Sequence, residues 1–337
     1  MITAVLFIVL LLVLVIPHEA GHMIVAKLCG VCVEEFSVGM GPCILKKKIG
    51  ETLYSLRLLP LGGFCRMRNG DEEGSDPDDP RAFRNKTAAQ KIAILCAGIM
   101  MNVILAWIIL TGIAAYTGVA TNTLSDVVKG SPAYEAGISA GETIVEINGS
   151  KTPLWADTLE ELSYVTEDEL VEMKLKSESG VRTVFVTPEY DSKNDRTYIG
   201  IVCSVSRNPV VVARAGLEST VELNSAIVNA FLELFRGKAD KDSVGGPVKI
   251  VQVVDEARSY GALSYLMLVA MISLNLAIFN ILPIPSLDGA RILFVIVRLL
   301  SGGRITEEME NYVHVAGMLF LIMLMILITV KDIMGLF

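Results

Sequence analysis

The amino-acid sequence predicts a polytopic α-helical membrane protein with four transmembrane helices, a β-hairpin and one inserted α+β module. The chain has 337 residues, of which 52% are hydrophobic, a larger share than soluble domains usually carry. Four windows are almost free of Asp, Glu, Lys and Arg, whereas the segments between them are rich in these residues. A long segment between the second and third windows alternates short strands with turns.

The four uncharged windows are candidate membrane spans. A helix needs about 20 apolar residues to cross a bilayer. The first window has no basic residue before it and no small-residue cleavage site after it, so it does not resemble a signal peptide. In chain order the windows are Ala4 to Ile16 with a helical continuation past His22, Ile92 to Ala115, about Leu263 to Leu282, and about Val315 to Val330.

The charges predict an orientation and exclude one class of partner. Residues 27 to 91 carry eleven Lys and Arg, which places this segment in the cytoplasm by the positive-inside rule. Both termini and residues 117 to 262 are then expected outside the cytoplasm. The net charge of −8 argues against nucleic acid, because phosphate binding needs a concentrated basic surface. The six cysteines form no disulfide framework.

The connecting segments have distinct patterns. Residues 33 to 59 are predicted to be extended, with a turn at 47 to 51, and residues 69 to 80 form an acidic loop. Short strands and the turn pair Asn148-Gly149 mark the α+β module, and helical spacing returns at 218 to 236. We therefore divide the chain into 1–116 with the first two spans, 117–205 as the module, and 206–337 with an amphipathic helix and the last two spans.

The first span contains the motif H-E-x-x-H. Four residues of a helix advance about 400°, so His18 and His22 project from one face, as two ligands of a single zinc ion require. Glu19 lies beside this face and can serve as general base toward a water that the zinc activates. Ionisable residues inside a membrane span are costly and are therefore functional by default.

A catalytic zinc ion needs a third protein ligand and an open position. Asp288 is the better candidate, because it follows 29 uncharged residues and two prolines break the helix just before it. His314 is the other remaining histidine. A closed structural site made of His18, His22 and the pair Cys29 and Cys32 is the alternative, but it would leave Asp288 without a partner.

These motifs resemble the site-2 protease family of intramembrane zinc metalloproteases, specifically the bacterial RseP/RasP branch with a single PDZ domain. The resemblance covers essentially the whole chain, in the order H-E-x-x-H, hairpin, second span, module and L-D-G. Ile99 stands where the family usually has proline, and Ala290 where a second glycine is common. The segment Ser131-Pro132-Ala133 and the run from Gly141 to Gly149 match the PDZ signature.

The resemblance implies roles for individual residues. It makes His18, His22 and Asp288 the ligands of one catalytic Zn²⁺ and Glu19 the catalytic base. It places Gly62 and Gly63 in a membrane-associated β-hairpin whose edge pairs with an unwound substrate. Residues implicated in substrate binding are Asn102, Asn275 and Asn280. From the residues alone, all three asparagines could instead satisfy backbone groups between helices.

The activity implied by the resemblance is regulated intramembrane proteolysis. Substrates would be single-span membrane proteins in the bilayer after a first cleavage, such as trimmed anti-sigma factors or remnant signal peptides. The PDZ domain would exclude bulky substrates or recognise trimmed ones. The alternative is a non-enzymatic membrane adaptor with structural zinc and a peptide-binding PDZ domain, which would have no use for Glu19.

Overall fold

The computed structural model describes residues 2–69, 78–166, 169–191, 196–237, 245–302 and 306–334. The chain forms two compact units. Unit 1 comprises residues 1–113 and 216–337, and unit 2 comprises residues 114–215. Most of the acidic loop predicted at 69 to 80 lies outside the described residues.

Long helices dominate unit 1. Across the described residues the α-helices are α1 (Ile2–Leu28), α2 (Ala88–Thr117), α3 (Pro132–Glu135), α4 (Trp155–Ser163), α5 (Pro209–Phe235), α6 (Pro247–Ser259), α7 (Ala262–Ile281), α8 (Asp288–Leu300) and α9 (Glu307–Met334). Among the ranges that the structure describes, α1, α2, α7 and α9 are long and apolar enough to cross a membrane. These four helices coincide with the four predicted windows, each extended at one or both ends.

Helices α1 and α2 both pack against α7. Leu10 and Leu14 of α1 pack against Leu268 and Val269 of α7. Ala106 and Leu110 of α2 pack against Ala270 and Leu274, which lie on a neighbouring face of α7. Because α7 contacts both partners, the segment that follows it is delivered to the place where α1 and α2 meet.

A bent β-hairpin lies between α1 and α2 in the sequence, and its two strands fold into a sheet of four paired segments. It is made by two long antiparallel strands, β1 (Val33–Ile49) and β2 (Thr52–Met67), joined at Gly50 and Glu51. Several bulges bend both strands, so residues 35–38 pair on one side with 53–56 and on the other with 63–66. Within the described residues, the pairings of 63–67 run to β1 alone, which leaves this segment at a sheet edge.

Unit 2 is built on a separate antiparallel sheet. Its strands follow the order β10-β3-β4-β6-β7, with β5 paired to β4, and a small β8-β9 ribbon is added. Asn148 and Gly149 both have positive φ, as the predicted tight turn requires. The strand bounds are β3 (Val119–Val127), β4 (Thr143–Ile147), β5 (Ser150–Lys151), β6 (Val171–Ser177), β7 (Gly180–Val186), β8 (Glu189–Asp191), β9 (Arg196–Tyr198) and β10 (Ile201–Ser206).

Three helices differ from the sequence prediction. The predicted amphipathic helix at 218–236 is α5, which begins earlier, at Pro209. A separate helix, α6, starts at Pro247, because proline is favoured in the first turn of a helix. The prolines before Asp288 do interrupt the helix, as predicted. A new amphipathic helix, α8, then begins at Asp288 itself.

We predict that the ion pair between exposed Arg182 and buried Glu142 makes unit 2 sensitive to acid. Arg182 donates two hydrogen bonds of 2.7 Å to buried Glu142, and this pairing lowers the pKa of the Glu142 carboxyl below its usual range. Ionised Glu142 therefore stabilises the fold above the pH where glutamate normally titrates, and the contribution is lost as the pH falls through the lowered pKa.

Glu142→Gln should accordingly reduce the free energy of unfolding of unit 2 by about 1–2 kcal/mol at pH 7. The difference from wild type should shrink as the pH falls below about 4. Hydrogen exchange of peptides from β4 and β6 in the full-length protein measures it. A difference that stays constant down to the lowest pH would contradict this role for the carboxylate.

Candidate active site

Helix α1 carries the two histidines of the H-E-x-x-H motif on one face. Their Nε2 atoms lie 3.2 Å apart, and the rings meet edge to face. His22 is buried, whereas His18 and Glu19 are half-buried. The helical spacing therefore produces the juxtaposition that the sequence predicted.

Asp288 reaches the histidine pair from the first turn of α8. Its Oδ2 atom lies 3.3 Å from the Nε2 atoms of both His18 and His22. Helix α7 ends at Ile281, and a short proline-containing turn reverses the chain before Asp288. The packing of α7 against α1 and α2 fixes where this turn lies, so Asp288 reaches the histidine pair from far along the sequence.

The turn before Asp288 contains a strained residue and is hydrogen-bonded to α9. Ser286 has a φ of 81°, a left-handed conformation that side-chain-bearing residues rarely adopt. Its backbone N–H donates a 2.8 Å hydrogen bond to His314 Nδ1 on α9. His314 is thus a support of the turn and lies outside the ligand cluster.

The geometry of His18, His22 and Asp288 fits zinc. Two ligands about 2.0–2.1 Å from a tetrahedral zinc ion lie about 3.3 Å apart, which is the spacing observed for all three pairs. Asp288 Oδ2 is buried and has no hydrogen-bond donor among the described residues. Three acceptor atoms that face one point need a cation between them, and a three-ligand set leaves a fourth position open.

Partners behind the histidines orient them for metal binding. His22 Nδ1 lies 2.8 Å from the carbonyl oxygen of Ile94, so the Nδ1–H donates there and the Nε2 lone pair faces the cluster. Asn102 Nδ2 lies 3.4 Å from His18 Nδ1, and Asn102 Oδ1 is buried without a donor. A 180° rotation of this amide lets Oδ1 accept from His18 Nδ1–H and satisfies both groups.

Two glycines allow α1 and α2 to approach closely enough for these contacts. A Cβ atom at Gly21 would lie 2.5 Å from the carbonyl oxygen of Ala97. A Cβ atom at Gly98 would collide with the imidazole of His22. Glycine is therefore required at both positions by the packing that places the ligands.

The edge of the hairpin sheet lies beside the candidate base. Cys65 of this edge lies close to the Glu19 carboxylate, with its backbone N–H toward it. A Cβ atom at Gly63 would lie 3.4 Å from Glu19 Cγ and 2.8 Å from the carbonyl oxygen of Ser37. The segment 63–65 is therefore held directly against the residue that the sequence assigned as base.

The remaining predicted residues fall into two groups. Asn102 is almost fully buried behind His18, which fits an orienting contact better than a substrate contact. Asn275 and Asn280 are half-buried on α7, and no hydrogen bond of their side chains occurs within the described ranges. Cys29 and Cys32 are outside the cluster of potential ligands formed by the described residues, so the closed four-ligand site is not favoured.

Sequence reasoning missed the supporting contacts. The carbonyl of Ile94, the amide of Cys65 and the Nδ1 acceptor of His314 have no signature of their own in the sequence. The small residue Gly98, one turn before Asn102 on the same helix, was the one available signal of a close helix contact.

Long apolar helices, a cluster of three potential zinc ligands and an adjacent glutamate are typical of a membrane-embedded zinc metalloprotease. Residues 6–324 match Peptidase family M50, and the chain belongs to this family, the site-2 proteases. The chain is a multi-pass membrane protein with metalloprotease activity, and zinc is its cofactor. The adaptor alternative is set aside.

Relatives of this chain support the same assignment. A protein of Clostridium acetobutylicum that carries a zinc metalloprotease name is 36% identical over 95% of this chain and 94% of its own length. A Clostridium perfringens protein with the same kind of name is 37% identical over 95% of each chain. The Bacillus subtilis protein named regulator of sigma-W protease RasP is 29% identical over 99% of each chain.

We predict that Asp288 is required for zinc, whereas the cysteine pair is not. Asp288→Ala should lose most bound zinc and all proteolysis, because two imidazoles remain at the cluster. The matched control is the double variant Cys29→Ser with Cys32→Ser, which should keep both. Metal stoichiometry of the purified proteins measures this. Full zinc content in Asp288→Ala together with loss in the cysteine variant would overturn the ligand assignment.

We also predict that Asn102 orients His18. Asn102→Leu should lower zinc affinity by about 10–100-fold, the usual effect of removing a hydrogen bond behind a metal ligand. Asn102→Asp should restore affinity, because its carboxylate still accepts from His18 Nδ1–H. Competition with a chelator measures zinc affinity, and Asn275→Leu is the control on α7. Equal affinity in the leucine and aspartate variants would exclude the orienting role.

Proposed function

We propose that this metalloprotease hydrolyses peptide bonds in or next to transmembrane segments of other membrane proteins. The observation that carries the proposal is the contact between the sheet edge at 63–65 and Glu19, next to the three ligands. A proteolytic site among apolar helices can reach peptide bonds in the membrane that a soluble protease cannot. Its immediate neighbour is a surface suited to an extended chain.

Presentation as an extended strand solves a physical problem for such an enzyme. A transmembrane helix hydrogen-bonds its amides internally, so its peptide bonds are inaccessible until it unwinds. An unwound segment in lipid needs new partners for its backbone groups. Addition to the edge at 63–67 exchanges the lost helical bonds for intermolecular ones. Gly62 and Gly63 lack side chains that would keep an incoming backbone away.

Asn275 and Asn280 support this proposal as contacts for substrate. A side-chain amide within an apolar helix is costly unless it is hydrogen-bonded. Neither side chain has such a bond among the described residues. An unwound substrate segment would offer the carbonyl and N–H groups that these amides lack.

The chain's own residues account for the proton transfers. When bound, zinc acts as a Lewis acid toward the scissile carbonyl and acidifies a coordinated water. Glu19 accepts a proton from the attacking water and passes it to the departing amine, while a C–O bond forms and the C–N bond breaks. The packing of the Gly63 backbone against the Glu19 side chain limits where the carboxylate can lie.

We further propose that substrates are single-span proteins already cut once, such as trimmed anti-sigma factors or remnant signal peptides. Unit 2 would act as an extracytoplasmic PDZ-type domain that excludes bulky or untrimmed substrates. The charges of residues 27–91 support a bacterial plasma-membrane orientation in which both termini are outside and the zinc site is near the cytoplasmic side.

Glu19→Gln should abolish cleavage and keep zinc, because it removes the base and preserves the shape of the side chain. The assay uses full-length protein in liposomes with a single-span substrate that has a short extracytoplasmic tail, and mass spectrometry locates the cut. Glu222→Gln, an exposed change on α5, is the matched control and should cleave normally. Equal cleavage by the Glu19 variant would contradict the role of Glu19 as base. Cuts confined to soluble regions of the substrate would contradict the intramembrane proposal.

A further inference from the structure

A cationic cavity lies next to the zinc cluster but is not part of it. Its volume is about 320 Å³, at the lower end of the range for ligand pockets. It is enclosed by the end of β2, the segment before α2, the first turns of α2 and α9, and one face of α8. Its charged lining residues in the described part of the chain are Arg66, Arg84, Lys91, Arg291, Arg298 and Glu310.

Two cations of the cavity lining are relevant to a bound ligand. Arg298 is paired with Glu310 at 2.6 Å, whereas the Arg291 side chain has no ion-pair partner among the described residues. Arg66 is largely exposed, and its contact with Glu35 is 3.8 Å long. The lining therefore favours an anion.

The ends of two spans place the cavity at the boundary between hydrocarbon and headgroups. Lys91 is the last charged residue of α2 before its apolar stretch. Glu310 is the last charged residue before the apolar stretch of α9. After Glu310, 20 residues pass without Asp, Glu, Lys or Arg. At 1.5 Å per residue this stretch is about 30 Å long, the thickness of a bilayer core.

Helix α8 gives the same depth independently. Arg291, Val295 and Arg298 line the cavity and lie within about 60° of one another around the helix. Leu293 and Ile296 lie on the opposite side and are exposed. A helix with one apolar exposed face and one cationic face is typical of the membrane interface.

One polar atom in the cavity wall needs an acceptor. His314 Nδ1 accepts the Ser286 N–H, so the neutral ring carries its proton on Nε2. That Nε2 atom is buried and has no hydrogen-bond partner among the described residues. The nearest carboxylate oxygen, on Glu310, is 3.7 Å away, too far for a hydrogen bond.

We propose that this cavity binds the phosphate of an anionic phospholipid, with Arg66 and Arg291 as cations and His314 Nε2–H as a donor. A lipid supplies negative oxygens at the depth where the cavity lies, and basic pockets between spans are suited to such headgroups. The cytoplasmic flanks of substrates are usually basic, which disfavours them here. The inference rests on the orientation given with the proposed function.

The site also has a consequence for the zinc ligand Asp288. Arg291 is one turn after Asp288 on α8, and His314 holds the turn before it through Ser286. A phosphate bound by both residues would link α8 to α9 on either side of the strained turn. Anionic lipid would thereby stabilise the position of the third zinc ligand.

Lipid binding is tested on full-length Glu19→Gln protein, so the readout does not depend on cleavage. Delipidated protein is titrated with short-chain phosphatidylglycerol, phosphatidylcholine and inorganic phosphate, and bound species are counted by native mass spectrometry. One phosphatidylglycerol should bind, in preference to phosphatidylcholine. Adding Arg66→Gln with Arg291→Gln should weaken it by roughly thirtyfold, since each cation near the surface contributes about 1 kcal/mol.

Two further variants separate a specific site from general effects. Lys46→Gln with Lys47→Gln makes the same charge change on exposed residues of the hairpin and should leave binding unchanged. His314→Asn should keep the acceptor for Ser286 but lose the Nε2–H donor, which weakens binding while zinc content stays normal.

Equal affinity for the two lipids, or undiminished binding in the arginine variant, would overturn the proposal. Inorganic phosphate binding as tightly as phosphatidylglycerol would assign the cavity to a free anion instead. Loss of binding in the lysine control would reduce the effect to surface charge. None of these outcomes depends on whether the enzyme cuts transmembrane segments, which the cleavage assay decides separately.

Discussion

Two imidazole nitrogens and one carboxylate oxygen stand 3.2–3.3 Å apart within an apolar helical unit. All three atoms present lone pairs to the same point, so they repel one another unless a cation lies between them. Much of unit 1 serves to hold this arrangement. The glycines of α1 and α2 bring the histidines close to their supporting groups, and α7 delivers Asp288 from the other end of the sequence.

A zinc site in this setting must reconcile lipid with water. The ligands lie near the ends of the spans, where the charged residues of α2, α8 and α9 also collect. Polar groups at this depth are less costly than at the bilayer centre, and water is close. The same location would give an anionic headgroup access to the cavity beside these residues. The chemistry and its lipid environment therefore share one layer of the protein.

The sequence predicted the spans well because their signal is simple. Lipid requires about 20 apolar residues in a row, and four such windows stand out from the charged segments. The three potential zinc ligands were also accessible, because His18 and His22 have helical spacing and Asp288 interrupts a long uncharged stretch. Each of these signals arises from residue type alone.

Features that depend on tertiary contacts were not accessible in this way. The bends that fold two strands into four paired segments arise from bulges in β1 and β2, and both strands contact α1. Helix α8 was missed because two prolines and an apolar run concealed its start, although Arg291 and Arg298 are spaced as residues of one helical face. Asn102 was grouped with substrate-binding residues, because its nearness to His18 depends on how α1 and α2 meet.

The contact between the sheet edge and Glu19 has a consequence for the proposed cleavage. Segment 63–65 lies against the Glu19 side chain, so an incoming strand would pair along the edge only as far as this point. The number of residues between the start of pairing and the peptide bond beside Glu19 would then be fixed. Cleavage position would be set by backbone register more than by the identity of the side chains that flank the bond.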